Sequence, residues 1–337
     1  MKAVLLKNTG NINELEKNLV LDVLPVPVIQ DEDVLIRIKY AALNHRDLWI
    51  TKGLYAGIKL PIVLGSDCCG FVEETGKNAA GFKKGDEVIV NPSLDWGESE
   101  NFQGGKYRIL GLPDNGTMAE FISINKSKVY KKPPHLSMSE ASALPLAGLT
   151  AFRAVFIKGR LLKGEKVLIT GAGGGVSAIA LLLCIKAGAK VYVTSGSEEK
   201  INKARYLGAT AGVNYKDEKW DEALKNISGG VDLIIDGTGG DCIAKCLNII
   251  NPGGRIVNYG ATLGAVKSFD VRKLFWKQIS FLGTTMGSDQ DFSEMLRFVE
   301  DNKIIPAVDR VFEAVKSHEA FIRMNSAEQF GKILIKF

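Results

Sequence analysis

The stretch from 165 to 200 constrains this chain most. Residues 166–170 read Lys-Val-Leu-Ile-Thr, and residues 171–177 read Gly-Ala-Gly-Gly-Gly-Val-Ser. An apolar run follows and stops at Lys186, after which 189–197 read Ala-Lys-Val-Tyr-Val-Thr-Ser-Gly-Ser. A β-branched strand therefore feeds straight into glycines, the glycines open a helix, and the helix returns to a second strand. Glycine has no Cβ, so the backbone turns tightly and an anion can reach the amides at the helix N-terminus, where the helix dipole favours negative charge. The pattern predicts one βαβ unit of the dinucleotide-binding type, with Gly173, Gly174, Gly175 and Val176 beside the pyrophosphate. A tight turn that binds nothing is the bland alternative, and the flanking elements weigh against it.

The fingerprint is a variant. The third glycine position, which sets close packing of helix on strand, holds Ser177. The second strand ends at Thr194, where an NAD-preferring site places Asp or Glu on the ribose. Thr194 is followed by Ser195, Ser197 and Lys200. An absent carboxylate removes repulsion of a 2′-phosphate, and these side chains could bind one. NADPH is the expected cofactor, although a lone lysine such as Lys200 ordinarily just starts a solvated helix.

Around this unit the chain changes character. Residues 1–123 are strand-rich with frequent Gly, Pro and Asn turns, which suggests a twisted antiparallel barrel, and the N-terminal run reads as an edge strand. From about Ser137, helices alternate with buried strands at 166–170, 190–194, 211–214, 231–236, 254–259 and 279–284. Six such strands predict a doubly wound parallel sheet with both faces covered. After Ser288, a helix at 292–302, a strand at 308–313, a helix from Ser317 and a strand at 331–337 are expected to return to the first domain. The predicted domains are 1–123 with 291–337, and 124–290.

Composition narrows the partners. Lys and Arg number 43 against 38 Asp and Glu, spread without blocks, so neither nucleic acid nor a membrane surface is expected. No apolar run is long enough for a signal peptide or a membrane span. Five cysteines at 68, 69, 184, 242 and 246 make no disulfide framework, which predicts a cytoplasmic protein. Cys242 and Cys246, four apart, read as packing residues.

Several motifs together resemble the medium-chain dehydrogenase/reductase superfamily over essentially the whole chain. They are Leu43-Asn-His-Arg-Asp47, Gly65-Ser-Asp67 with Gly70 and Val72, residues 81–88, Gly116-Thr-Met-Ala-Glu-Phe121, Leu144-Pro-Leu146 with Thr150-Ala151, and Gly331-Lys-Ile-Leu. The resemblance implies a GroES-like β-barrel catalytic domain, a Rossmann domain, and an active site in the cleft between them. Zinc-dependent members carry a cysteine at the place of Asn44, Gly-His-Glu at 65–67, and a third ligand near Leu146. Catalytic zinc needs about three Cys, His, Asp or Glu ligands, which Asn44, Ser66 and Leu146 cannot supply. His45, next to Arg46, is no substitute by itself. The family's four-cysteine lobe corresponds to 91–113, which holds no cysteine; its acids Asp95, Glu98 and Glu100 read as a solvated loop. No metal is expected.

What remains is similar to the zinc-independent quinone oxidoreductase branch, with Leu43-Asn-x-x-Asp47 and Gly53-Leu-Tyr55. By that resemblance Asn44 and Tyr55 face the nicotinamide and substrate, Asp47 orients the strand-to-helix turn, Thr150 lies beside the nicotinamide, and Tyr215 beside the adenosine phosphate or ribose. The implied activity is hydride transfer from NADPH to a quinone or α,β-unsaturated carbonyl. Two alternatives stay open: an alcohol dehydrogenase with an atypical zinc site, and a non-catalytic NADPH-binding protein. The resemblance also implies a homodimer or dimer-based tetramer through the edge strand at 279–284.

Overall fold

The structure, a computed structural model, describes residues 1–337. It divides into two compact units, Met1–Ala147 with Gly287–Phe337, and Gly148–Met286.

In the first unit the central ribbon is Asp33–Ala42, paired antiparallel with Asp67–Thr75, Phe121–Asn125 and the C-terminal strand Lys332–Lys336. Glu87–Val90 and Val129–Lys131 extend the sheet on one side and Val308–Glu313 on the other. The alternation in 33–42 places Val34, Ile36 and Ile38 in a core with Val72, Val88, Val90 and Ile122. Val129–Lys131 pairs with Glu87–Val90, so residues 124–147 lie with this unit, whereas the sequence reading had placed them with the second domain. The returning segments join as expected: Asp289–Asp301, Val308–Glu313, Ser317–Asn325 and Lys332–Lys336 all belong here.

The N-terminal strand corrects one expectation. Lys2–Leu6 is no edge: it lies between Leu19–Val23 and Ile62–Val63. Ala3, Val4, Leu5 and Leu6 are all buried, and an unbroken buried run of this kind needs a partner on each side.

The second unit is the doubly wound sheet. Its order is Ala211–Asn214, Lys190–Ser195, Lys166–Ile169, Val231–Asp236, Ile250–Asn258, Ser280–Gly283, all parallel. The order reverses between Lys166–Ile169 and Val231–Asp236, the switch point at which such sheets bind ligands beyond their strand ends. The helix Gly175–Lys186 is apolar nearly all round because it packs on a sheet whose strands Val167–Ile169 are fully buried.

Candidate active site

In the first unit, the turn from Asp33–Ala42 into the helix His45–Thr51 places Asn44 at the helix N-cap. Asp47 accepts the Asn44 backbone N–H at 2.8 Å, and Asp47 N donates to Asn44 O at 2.9 Å, a reciprocal brace that fixes the entry angle. Asp47 is fully buried and its other oxygen has no partner. Burial pushes its carboxyl above the ordinary range, with the Arg46 charge and the Asn44 N–H opposing.

Asn44 meets Asp67 and Lys332. Asn44 Nδ2 donates to Asp67 Oδ2 at 3.0 Å, and Lys332 Nζ donates to Asn44 Oδ1 at 2.5 Å and Asp67 Oδ2 at 2.9 Å. The Leu146 N–H donates to Asp67 Oδ1 at 2.8 Å. Asp67 is fully buried and Lys332 is 3% exposed. Gly65 starts the segment that presents Ser66 and Asp67, at φ +97°; a Cβ there would come 2.6 Å from Thr117 Oγ1. By the resemblance drawn from the sequence, zinc-dependent members hold their metal at the places of Asn44, of residues 65–67 and near Leu146. No group of three or more His, Cys, Asp or Glu side chains converges anywhere in the chain. The donor set does not fit zinc: an ammonium already neutralises the one carboxylate, and Asn44, Ser66 and Leu146 bring no strong ligand. Burial and the charges of Lys332 and Lys52 lower the His45 pKa below its ordinary value.

Next to this cluster Arg46 Nη1 donates to Ser66 Oγ and Leu110 O, both at 2.8 Å. Its guanidinium lies over the Tyr55 ring, 5.2 Å from the centroid. The Tyr55 hydroxyl makes no hydrogen bond, and the residue is half-buried. Within 91–113 the acids Asp95, Glu98 and Glu100 are exposed, as expected of a solvated loop, and the two ends of the segment pack together. Ser93–Leu94 pairs with Arg108–Ile109, Trp96 stands edge-on to Tyr107 at 5.3 Å, and Arg108 pairs with Asp95 and Asp114. Trp96, Leu94, Leu110 and Leu112 are buried.

In the second unit the glycine turn opens Gly175–Lys186 with Gly174 at its N-cap. The first-turn amides have no carbonyl four residues back, and no acid lies in that turn. These residues fit a pyrophosphate. Ser177 explains the altered fingerprint: its Oγ donates to Thr170 O at 2.8 Å and lies 3.0 Å from Tyr259 Oη, so it joins helix to strand as well as packing there. Thr194 Oγ1 accepts the Gly171 N–H at 3.1 Å and is 2% exposed, so its hydroxyl shapes the turn. Ser195 Oγ accepts the Ser197 N–H at 3.3 Å, and Ser197 caps the helix Glu198–Tyr206, accepting the Lys200 N–H. Tyr215, half-exposed, lies over Gly196, where a Cβ would come 2.8 Å from its hydroxyl and 3.1 Å from Lys216 Cε. Ser195, Ser197, Lys200 and Tyr215 thus gather round one turn. Thr150 is buried in the helix Pro145–Phe152, its Oγ1 3.7 Å from Met286 Sδ.

Residues 30–134 match the alcohol dehydrogenase GroES-like domain family, and residues 175–301 match the zinc-binding dehydrogenase family. A zinc-type alcohol dehydrogenase-like protein, YogA, from Leptosphaeria maculans is 36% identical, over 94% of each chain. The chain belongs to the medium-chain dehydrogenase/reductase superfamily. Quinone oxidoreductase-like protein 2 from Bos taurus is 30% identical over 96% of this chain and 90% of that protein. A crystal structure of an NAD-dependent alcohol dehydrogenase superposes over the whole of both chains with a TM-score of 0.94 at 35% identity. The protein is accordingly an oxidoreductase of this superfamily that uses a nicotinamide cofactor, NAD or NADP.

Four participants escaped the sequence reading. Lys332 was visible only as part of a terminal motif, although a lysine within the apolar run 330–335 is itself a signal that a buried acid awaits it. Arg46 and Tyr107 carry no comparable mark. Lys216 was hidden behind Tyr215.

Proposed function

We propose that the chain is a zinc-independent reductase that passes hydride from NADPH to a quinone or an α,β-unsaturated carbonyl. The observation that carries this is the Lys332 ammonium bridging Asn44 and Asp67 where a metal would need its ligands. Without a Lewis acid there is no strong means of deprotonating a simple alcohol, whereas an electrophilic acceptor needs only positioning and polar stabilisation. When bound, the nicotinamide supplies the hydride. Negative charge then develops on the acceptor oxygen, and a neutral donor aimed there contributes about 3–4 kcal/mol in comparable sites. Tyr55 offers an unengaged hydroxyl. Asn44 offers its second amide hydrogen, the first being bound to Asp67; the Lys332 contact holds that amide in orientation.

The preference for NADPH rests on the turn at Gly196. It has no carboxylate at Thr194, and Lys200 and Lys216 flank it. One set of assays tests both halves. NADPH and NADH oxidation is followed with quinones, enones, aldehydes and alcohols, for the native chain and Lys200→Ala. Reduction of quinones or enones with NADPH is expected, and Lys200→Ala should weaken NADPH by roughly 1–3 kcal/mol while leaving NADH unchanged. Alcohol oxidation as the dominant activity, or equal losses for both cofactors, would reject the reading.

A further inference from the structure

Three cations of the first unit are buried: Arg46 at 8% exposure, Lys128 at 9% and Lys332 at 3%. Lys128 pairs with Asp289, and Lys332 with Asp67. Arg46 has no carboxylate partner. Its hydrogen bonds, both from Nη1, go to the neutral acceptors Ser66 Oγ and Leu110 O. Nη2 makes none, and Nε is buried with no partner at all. Asp47, its sequence neighbour, directs Oδ2 to the Asn44 N–H. The Asp47 carboxyl feels the Arg46 charge but makes no ion pair or hydrogen bond with it, and buried N–H groups left without an acceptor are unfavourable.

The geometry of what remains is specific. Tyr55 covers one face of the guanidinium. The two nitrogens left over, Nε and Nη2, form one edge with parallel N–H bonds, the edge that matches the two oxygens of a carboxylate. A second donor, the Tyr107 hydroxyl, feels the Arg46 charge and has the Ser93 hydroxyl beside it. The Tyr107 hydroxyl is buried without a hydrogen bond of ordinary geometry, within electrostatic reach of both Arg46 and Tyr55. Half of the chain's buried side-chain polar atoms that lack a partner, namely Arg46 Nε, Asp47 Oδ1 and Tyr107 Oη, therefore fall in this one neighbourhood. The groups in contact with the guanidinium are neutral: Ser66 Oγ, Leu110 O and the Tyr55 ring.

We propose that Arg46 recognises a carboxylate carried by the substrate, bound through its Nε–Nη2 edge with Tyr107 as an additional donor. This rests on the preceding reading of Asn44 and Tyr55 as the substrate wall, and it narrows the acceptor to an enone or quinone that bears a carboxylate. A single guanidinium backed by one neutral phenol matches one negative charge, and the planar fork selects a two-oxygen acceptor.

Calorimetric titration of the cofactor-loaded protein with benzoate and with benzamide reads binding directly. Benzoate should bind at least tenfold tighter, and Arg46→Gln should erase that difference while leaving benzamide unchanged. In turnover, 4-oxopent-2-enoate should exceed its methyl ester at least tenfold in kcat/KM, again only with Arg46 present. Equal binding of benzoate and benzamide to the native protein overturns the proposal, even if Arg46→Gln fails to fold. Reduction of the ester alongside that equality leaves the reductase reading standing and removes only the carboxylate. Failure to reduce either compound with either cofactor, with benzoate still preferred, removes the reductase reading and upholds Arg46 as the carboxylate site.

Discussion

Replacing Lys332 by methionine tests the strut that takes the place of a metal site. In the native chain Asp67 Oδ2 receives the ammonium at 2.9 Å and the Asn44 amide at 3.0 Å, and Oδ1 receives the Leu146 N–H at 2.8 Å. Methionine keeps most of the volume and removes the charge. It leaves a fully buried carboxylate with two neutral donors. Removing one partner of a buried pair costs about 3–5 kcal/mol, because the other charge is stranded. For a unit of this size that corresponds to a fall in Tm of roughly 6–20 °C. The double variant Asp67→Asn/Lys332→Met removes both charges and keeps an oxygen for Leu146. It should be more stable than Lys332→Met alone, with a coupling of about 2 kcal/mol or more. Urea and thermal unfolding of the four proteins, followed by tryptophan fluorescence, give the cycle. A loss below about 1 kcal/mol for Lys332→Met, or simple additivity, would refute the view that the pair is a tightly coupled buried unit.

Elemental analysis of protein purified without chelator should show well under one zinc per chain; one zinc per chain with activity lost on chelation contradicts the donor-set argument. Tyr55→Phe should lower kcat for quinone or enone reduction and leave the NADPH dissociation constant in place, whereas unchanged kinetics would make Tyr55 a packing residue beneath Arg46. The strand Ser280–Gly283 has a partner on one side only, and Phe281, Phe275 and Trp276 are exposed near it, so light scattering should find a dimer or tetramer; a species of 36.6 kDa alone would exclude this. Burial acts to raise the Asp309 carboxyl, but hydrogen bonds from Arg323 and the Phe330 N–H and the Arg323 charge hold it below its ordinary value. Its stabilising contribution is therefore full above the unfolded pKa and is lost as pH falls through the lower folded one. Asp309→Asn should lower stability at neutral pH and make the acid limb shallower, and an unchanged acid limb would contradict the assignment.

The sheet of the second unit was legible because its central strands Lys166–Ile169, Lys190–Ser195 and Val231–Asp236 are short, largely buried runs and each helix between strands returns the chain within one βαβ unit. Periodicity and glycine placement carry that information locally. The first unit was less so. The edge reading of Lys2–Leu6 failed because a run of buried residues looks alike at an edge and in the middle; only the pairing with Ile62–Val63 decides it. At 91–113 the solvated stretch was legible from its acids, but the contacts that close it, Trp96 with Tyr107 and Arg108 with Asp114, have no sequence period.

For the site, the sequence by itself determined which residue types stand at 44, 66 and 146, and the resemblance it carries compares Asn44, Ser66 and Leu146 with the metal ligands of zinc-dependent members. It also determined the glycine turn and the absence of an acid after the second strand, because both are properties of a few consecutive residues. Tertiary structure decided what occupies the vacated chemistry. Lys332 lies 265 residues from Asp67 in the chain, and the two meet only because the C-terminal strand pairs with Asp33–Ala42, whose end leads into Asn44. The same folding left Arg46 buried without an ion pair, its hydrogen bonds going to Ser66 and Leu110. A residue's charge is written in the sequence, whereas its counter-charge is set by which distant strands share a ladder, and burial then turns that pairing from a weak surface contact into a strong constraint.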